Sequence, residues 1–203
     1  MTAALKIEDR RYTAEEYLDL VGKIDGKYEF HDGKLVDWRM MAGTSEPHVL
    51  IASNLIASMH GALKGKPCRV YGSDLLVRIA QKSTYRFPDL SVICGPTEFD
   101  TVDKGRRLAV TNPTMLIEIL SDTSEKDDRG AKFEEYRQIP SLREYVLVSQ
   151  HKPLIETFRR HEDGTWGILA ITEGMQSALD FEAIQVRVPL TEIYAGVSFP
   201  PEV

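Results

Sequence analysis

Two carboxylates stand inside strand-like apolar runs: Asp89 at the entrance of "FPDLSVI" (residues 87–93) and Glu118 in the middle of "TMLIEILSD" (residues 114–122). An ionised carboxylate taken out of water without a partner costs several kcal/mol, so such a sequence must also supply a cation or hydrogen-bond donors. Two acids at the ends of short strands suit an oxygen-ligand site for Mg²⁺ or Mn²⁺, because hard cations take carboxylates, carbonyls and waters. Each acid also has a plainer reading. Glu118 can bond a backbone group or an arginine, and Asp89, following Pro88, can be a turn residue accepting backbone N–H groups.

The segment after Glu118 places Asp128, Lys132 and Tyr136 at i, i+4 and i+8, along one slowly drifting helix face. An Asp128–Lys132 surface pair would be worth only a few tenths of a kcal/mol. Alternatively, the Lys132 ammonium reaches the two acids, where it could hold a phosphate oxygen or orient an attacking water. Glu29 lies on an early strand, where it could assist or simply pair with Lys34 or Arg39. His48 and Asp74 are possible supporting residues that could equally be structural.

The elements needed to position these residues are legible as patterns. "YTAEEYLDLVG" predicts a first helix, capped reciprocally by Thr13 and Glu16 and stopped by Gly22. Asp32-Gly33 predicts a hairpin turn. The run from about Pro47 to Leu63 has helical periodicity, with His48 at its start and Asn54 expected to look the same way. Strands are predicted at 68–71, 75–79 and 89–93, with "QKSTYRFP" as a break and the stretch from "CGPTEFD" to "GRRLAVTNP" as loop. Side-chain alternation in "TMLIEIL" turns Leu116, Glu118 and Leu120 one way and Met115, Ile117 and Ile119 the other. A helix follows Ser124 as N-cap and ends before Pro140, with Gly130 a weak point. Then come "EYVLVS", "LIETFRR" and "TWGILAI" as strands, "HEDG" as a turn, and a short helix beginning at Pro189. The order predicts an α/β fold: a mixed sheet flanked by helices, with additional antiparallel strands near the C-terminus.

With 203 residues, 42% hydrophobic and 28% charged, the chain suits a single domain over 1–203, with a core at about 10–160 and an extension at 161–203. The start, "MTAALKIEDRR", lacks an apolar signal-peptide run, and no segment approaches a membrane span, so a cytoplasmic protein is expected. Cys68 and Cys94 have no disulfide or zinc pattern and are expected to be buried thiols. The net charge of −6 disfavours a broad phosphate-binding surface, although cations could cluster locally around "KSTYR", "DKGRR" and "FRR". There is no P-loop, nucleophile elbow, dinucleotide fingerprint or Cys-x-x-Cys pair.

"YEFHDGKLV", "PHVLIASNL", "FPDLSVI" and "IEILSDTSEKDDRGAKFEEYRQIPSLREYVLVS" together resemble the Uma-type endonuclease family, within the restriction-endonuclease-like superfamily and its PD-(D/E)XK signature. The resemblance covers about residues 10–160. It implies a restriction-endonuclease-like fold and a Mg²⁺- or Mn²⁺-dependent endonuclease acting on DNA, with a homodimer and no membrane partner. It also implies Asp89 and Glu118 as catalytic metal ligands, joined by the Ile119 carbonyl. Two residues after Glu118 the signature wants Lys and this chain has Leu120, so Lys132 would take that place, with Glu29 as an additional acid. The displaced lysine and the acidic balance leave open an alternative: a weakly active or inactive nuclease fold serving as a nucleic-acid-binding or protein-interaction module.

Overall fold

The long strand and helix patterns produce elements where expected, and their order around two parallel strand pairs determines the architecture. The computed structural model describes residues 7–24, 26–37 and 45–199. Its elements are α1 (Ala14–Leu20), β1 (Tyr28–His31), β2 (Lys34–Asp37), α2 (Glu46–Ala62), β3 (Cys68–Gly72), β4 (Leu76–Ile79), β5 (Thr84–Arg86) and β6 (Leu90–Cys94), followed by β7 (Ala109–Val110) and β8 (Met115–Leu120). A continuous helical segment comprises α3 (Glu125–Asp127), a π-helical turn (Asp128–Lys132) and α4 (Phe133–Tyr136). The chain continues as β9 (Glu144–Ser149), β10 (Leu154–Arg160), β11 (Trp166–Glu173), β12 (Ala178–Phe181), β13 (Val186–Pro189) and α5 (Leu190–Ile193).

The α/β class is as expected, and its strands divide between a six-stranded sheet, β11-β10-β9-β8-β6-β3, a five-stranded sheet, β2-β1-β5-β4-β7, and the β12-β13 hairpin. Both larger sheets are mixed: β8 runs parallel to β9, and β4 parallel to β7. A parallel pair needs a long crossover connection, and the α3–π–α4 segment is that crossover. The expected alternation on β8 holds. Met115, Ile117 and Ile119 pack with Ile51, Leu55 and Met59 of α2, whereas Leu116 and Leu120 pack with Tyr136, Tyr145 and Val77 on the other side.

Local chemistry explains the element ends. Thr13 Oγ1 accepts from Glu16 N at 3.1 Å while Thr13 N donates to the Glu16 carboxylate at 2.7 Å, so both expected halves of the capping box form. The Asp32-Gly33 turn has φ of +43° and +91°, the left-handed backbone that tight hairpins require. Ser124 occupies the cap position but does not cap; its hydroxyl is 2.9 Å from the Ser121 hydroxyl. Two strands escaped the sequence reading: β5 was hidden in "QKSTYRFP" and β7 in the expected loop. The β12-β13 hairpin falls within the expected C-terminal strand extension.

The expected thiols are corrected: Cys68 and Cys94 form a disulfide. They are direct cross-strand neighbours in the antiparallel β3-β6 pair, and their separation of 26 residues concealed that register. A crosslink closing a loop of this length stabilises by roughly 3 kcal/mol through the unfolded state. Reduction, or the double substitution Cys68→Ala/Cys94→Ala, is expected to lower the melting temperature by roughly 5–10 °C in scanning calorimetry. Identical transitions before and after reduction would refute this contribution.

Candidate active site

The antiparallel β6-β8 ladder ends at the Leu90–Ile117 pair, and Asp89, one residue before β6, meets Glu118 there. The Asp89 backbone N–H donates to Glu118 Oε2 at 3.4 Å. Asp89 Oδ2 accepts from the Ile119 N–H at 2.7 Å and lies 3.1 Å from His48 Nε2, so the first turn of α2 meets the start of β6. Ser45 makes that approach possible as the N-cap of α2: its hydroxyl accepts from His48 N and donates to Gln150 Oε1 at the end of β9.

From the crossover, Lys132 Nζ reaches within 3.3 Å of Glu118 Oε2 and 2.6 Å of Asp128 Oδ1, and the Tyr136 hydroxyl donates to Glu118 Oε1 at 2.8 Å. The π turn explains how residues four apart all point inward. Its wider turn holds Asp128 and Lys132 against the sheet, and both are buried. Exposure is 8% for Asp89, 1% for Glu118, 1% for Asp128 and 5% for Lys132, so the pair is no solvated surface bridge. Tyr145 donates to the Asp128 carbonyl at 2.9 Å and anchors the turn from β9.

Charge in this cluster does not balance: three carboxylates face one ammonium. Burial drives the Glu118 carboxyl well above the ordinary range, and Lys132 only partly offsets it. Burial likewise raises Asp128 against the opposing pull of Lys132, and Asp128 Oδ2 is a buried oxygen with no hydrogen-bond partner. Burial works against the Lys132 ammonium, but the charges of Glu118, Asp128, Glu29 and Asp89 outweigh it and raise its pKa.

A second ionic cluster adjoins the first. Glu29 is fully buried; Oε1 accepts from Phe87 N at 2.9 Å, and Oε2 lies 3.1 Å from both Arg86 Nη1 and His31 Nε2. Arg86 also pairs with Asp127 at 2.9 Å and Glu135 at 2.6 Å, tying β1 and β5 to the crossover. Burial raises the Glu29 carboxyl, but His31, Arg86, Lys132 and the Phe87 N–H together lower it. His31 is raised because its bonds to Glu135 and Glu29 overcome burial. Among the described residues Glu29 forms no pair with Lys34, which is exposed; Arg39 lies outside the described residues.

The fold thus brings Asp89, Glu118, Asp128, Lys132, Tyr136 and His48 together, with Glu29 alongside. Asp74 stays apart, exposed and ion-paired with Lys27. Asn54 does not look the same way as His48; its amide donates to the Ile193 and Ala195 carbonyls, closing the end of α5. Sequence reasoning missed Arg86 as the hub. The available signal was an arginine alternating with aromatics in "TYRF", immediately before "PD". Among the described residues, no group of three or more His, Cys, Asp or Glu side chains forms a metal-ligand set. The cluster's chemistry nevertheless fits a hard cation: its donors are carboxylate oxygens, negative charge is in excess and Asp128 Oδ2 is unpartnered.

The family model for Uma2, described as "Putative restriction endonuclease", matches residues 14–190. The chain belongs to this family. Uncharacterized protein slr1290 of Synechocystis sp. is 31% identical over 189 residues, 93% of this chain and 94% of that protein. A second Synechocystis protein, sll1609, also uncharacterized, is 29% identical over 174 residues, 86% and 94% of the two chains. The crystal structure of a "putative nuclease belonging to DUF820" from Anabaena variabilis has the same fold, with a TM-score of 0.67 at 13% identity, covering 91% of this chain and 98% of that one.

Arg86→Met leaves Glu29 buried without its main cation and is expected to destabilise the Uma2 protein by about 3–5 kcal/mol in denaturant unfolding; a loss below about 1 kcal/mol would refute the hub. Glu118 and Asp128 bind protons more tightly folded than unfolded. Their contribution to stability is therefore greatest at low pH and declines as pH rises above the unfolded carboxylate value of about 4. Glu118→Gln should consequently gain stability relative to wild type between about pH 5 and about pH 8 in metal-free buffer; a pH-independent difference would contradict the charge excess.

Proposed function

We propose that this Uma2 protein is a Mg²⁺- or Mn²⁺-dependent endonuclease that hydrolyses DNA phosphodiester bonds. The observation that carries the reading is the meeting of Asp89 and Glu118 at the end of the β6-β8 ladder, where the Asp89 N–H donates to Glu118 Oε2 at 3.4 Å, with the Lys132 ammonium 3.3 Å from Glu118. Asp89 and Glu118 would hold the cation, with the Ile119 carbonyl as a further oxygen ligand. Asp128, carrying an unpartnered oxygen, is a candidate to join them. Bound there, the metal would polarise a phosphoryl oxygen and lower the pKa of a water.

The chain's own groups supply the rest. Lys132 stabilises developing phosphate charge or orients the attacking water, and Tyr136 holds Glu118 in place through its 2.8 Å bond. His48 holds Asp89 from the helix side. Glu29, whose oxygens are occupied by Phe87 N–H, Arg86 and His31, acts as a positioning residue: it fixes the strand segment that leads through Phe87 and Pro88 into Asp89.

Supercoiled plasmid incubated with Mg²⁺ or Mn²⁺ tests the proposal. Wild type should nick it, and Asp89→Ala, Glu118→Gln and Lys132→Ala should each lose at least about 100-fold in rate. Metal should also raise the melting temperature of wild type but not of Asp89→Ala. Equal nicking by wild type and Asp89→Ala would end the assignment.

One observation favours a second reading, an inactive nuclease fold that binds nucleic acid or protein. The Lys132 ammonium already lies between Glu118 and Asp128 and partly neutralises them without a metal. A gel shift that persists in EDTA, with no cleavage at any metal concentration, would select it.

A further inference from the structure

The three basic runs singled out in the sequence are largely occupied within the protein. Arg86 is buried among acids, Lys104 pairs with Glu15, Arg106 with Asp19 at 2.8 Å, and Arg159 with Glu144 and Glu182, while Arg160 donates to the carbonyls of Arg137 and Ile139. Unneutralised cations gather elsewhere. "HGALKGKPCR" (residues 60–69) brings His60, Lys64, Lys66 and Arg69 around a concavity of about 370 Å³ at the end of α2 and the start of β3. No acid lines it, and among the described residues none of the four forms an ion pair. Lys66 Nζ donates to the Gln185 carbonyl at 2.6 Å and the Ile184 carbonyl at 3.4 Å, which fixes the ammonium without cancelling its charge. In a chain of net charge −6, this is a local reversal of sign, the electrostatic footprint of a phosphate site.

Helix α2 relates this concavity to the acids. Its first turn holds His48 against Asp89, and His60 lies about 18 Å further along at 1.5 Å per residue. The outward stripe between them, Val49, Ser53 and Ala57, is exposed and uncharged; Glu46 stands at its N-terminal end, and Glu192 accepts from the Ser58 hydroxyl beside it. The separation corresponds to about five base pairs along a duplex axis at 3.4 Å per step.

We propose that this concavity is an exosite that grips backbone phosphates in the flank of a DNA duplex, while the reacting phosphate lies at Asp89 and Glu118. The location of the reacting phosphate rests on the nuclease reading; the charge and shape of the exosite do not. Lys64 and Arg69 supply exposed charges, and Lys66 supplies one held by the Gln185 carbonyl.

Fluorescence anisotropy of the full chain with a labelled duplex of about 20 base pairs, in EDTA, tests the exosite. Lys64→Glu/Arg69→Glu should weaken binding at least about tenfold and reduce the slope of log K against log salt by about two, with an unchanged melting temperature. Equal affinities and salt slopes for the long duplex would overturn the exosite. So would protection of wild type alone by inorganic phosphate when duplex binding is unaffected by the substitutions, which would assign the pocket to a free anion. If wild type nicks plasmid and the variant binds and nicks equally well, only the exosite fails. If wild type neither binds nor cuts DNA, the nuclease reading fails and the exosite with it.

Discussion

One constraint organises the molecule: three carboxylates are buried side by side around one ammonium. Lys132 pairs with Glu118 and Asp128, and His48 Nε2 lies 3.1 Å from Asp89. Such an arrangement is a poor way to stabilise a fold, because desolvation consumes most of what the ion pairs return. It persists only if every surrounding group is held in place. The supports are a tyrosine on Glu118, a backbone amide and a histidine on Asp89, and a tyrosine on the carbonyl of the π turn.

Arg86 shows how the neighbouring sheet joins in. Its guanidinium contacts Glu29 on β1 and Asp127 and Glu135 on the crossover, so it ties the five-stranded sheet to the helical segment beside the acids. A guanidinium offers five donors in a fixed planar fork, which suits it to holding three carboxylates from different elements at once. The strand that carries Arg86 leads directly into Asp89 through Phe87 and Pro88, so the geometry of one ionic cluster is passed mechanically to the other.

Much of this was legible in the sequence. The two-residue alternation of "TMLIEIL" gave the correct face for Glu118, and the helical spacing of Asp128, Lys132 and Tyr136 correctly indicated a shared face. Thr13 with Glu16, and Asp32 with Gly33, encode local turns whose chemistry does not depend on distant contacts. What stayed hidden depends on register between distant strands. The Cys68–Cys94 bridge, the Arg86 hub and the turning away of Asn54 towards α5 each require knowing which strand or helix lies alongside, and no short-range pattern carries that information. Two-residue β7 and three-residue β5 are too short for alternation to show at all.

The π turn at Asp128–Lys132 fixes the length of the chain in a way the rest of the fold does not. Loop tips such as the "HEDG" turn between β10 and β11 tolerate insertions, because a changed count of residues there is absorbed by solvent-exposed backbone. Within the crossover, one residue more or fewer would swing everything downstream by about 100° around the helix axis, carrying either the ammonium or the tyrosine out of the sheet's reach. Side chains and loop sizes around this segment can change without moving the cluster, while the number of residues between Glu118 and Tyr136 acts as a ruler that sets which groups meet.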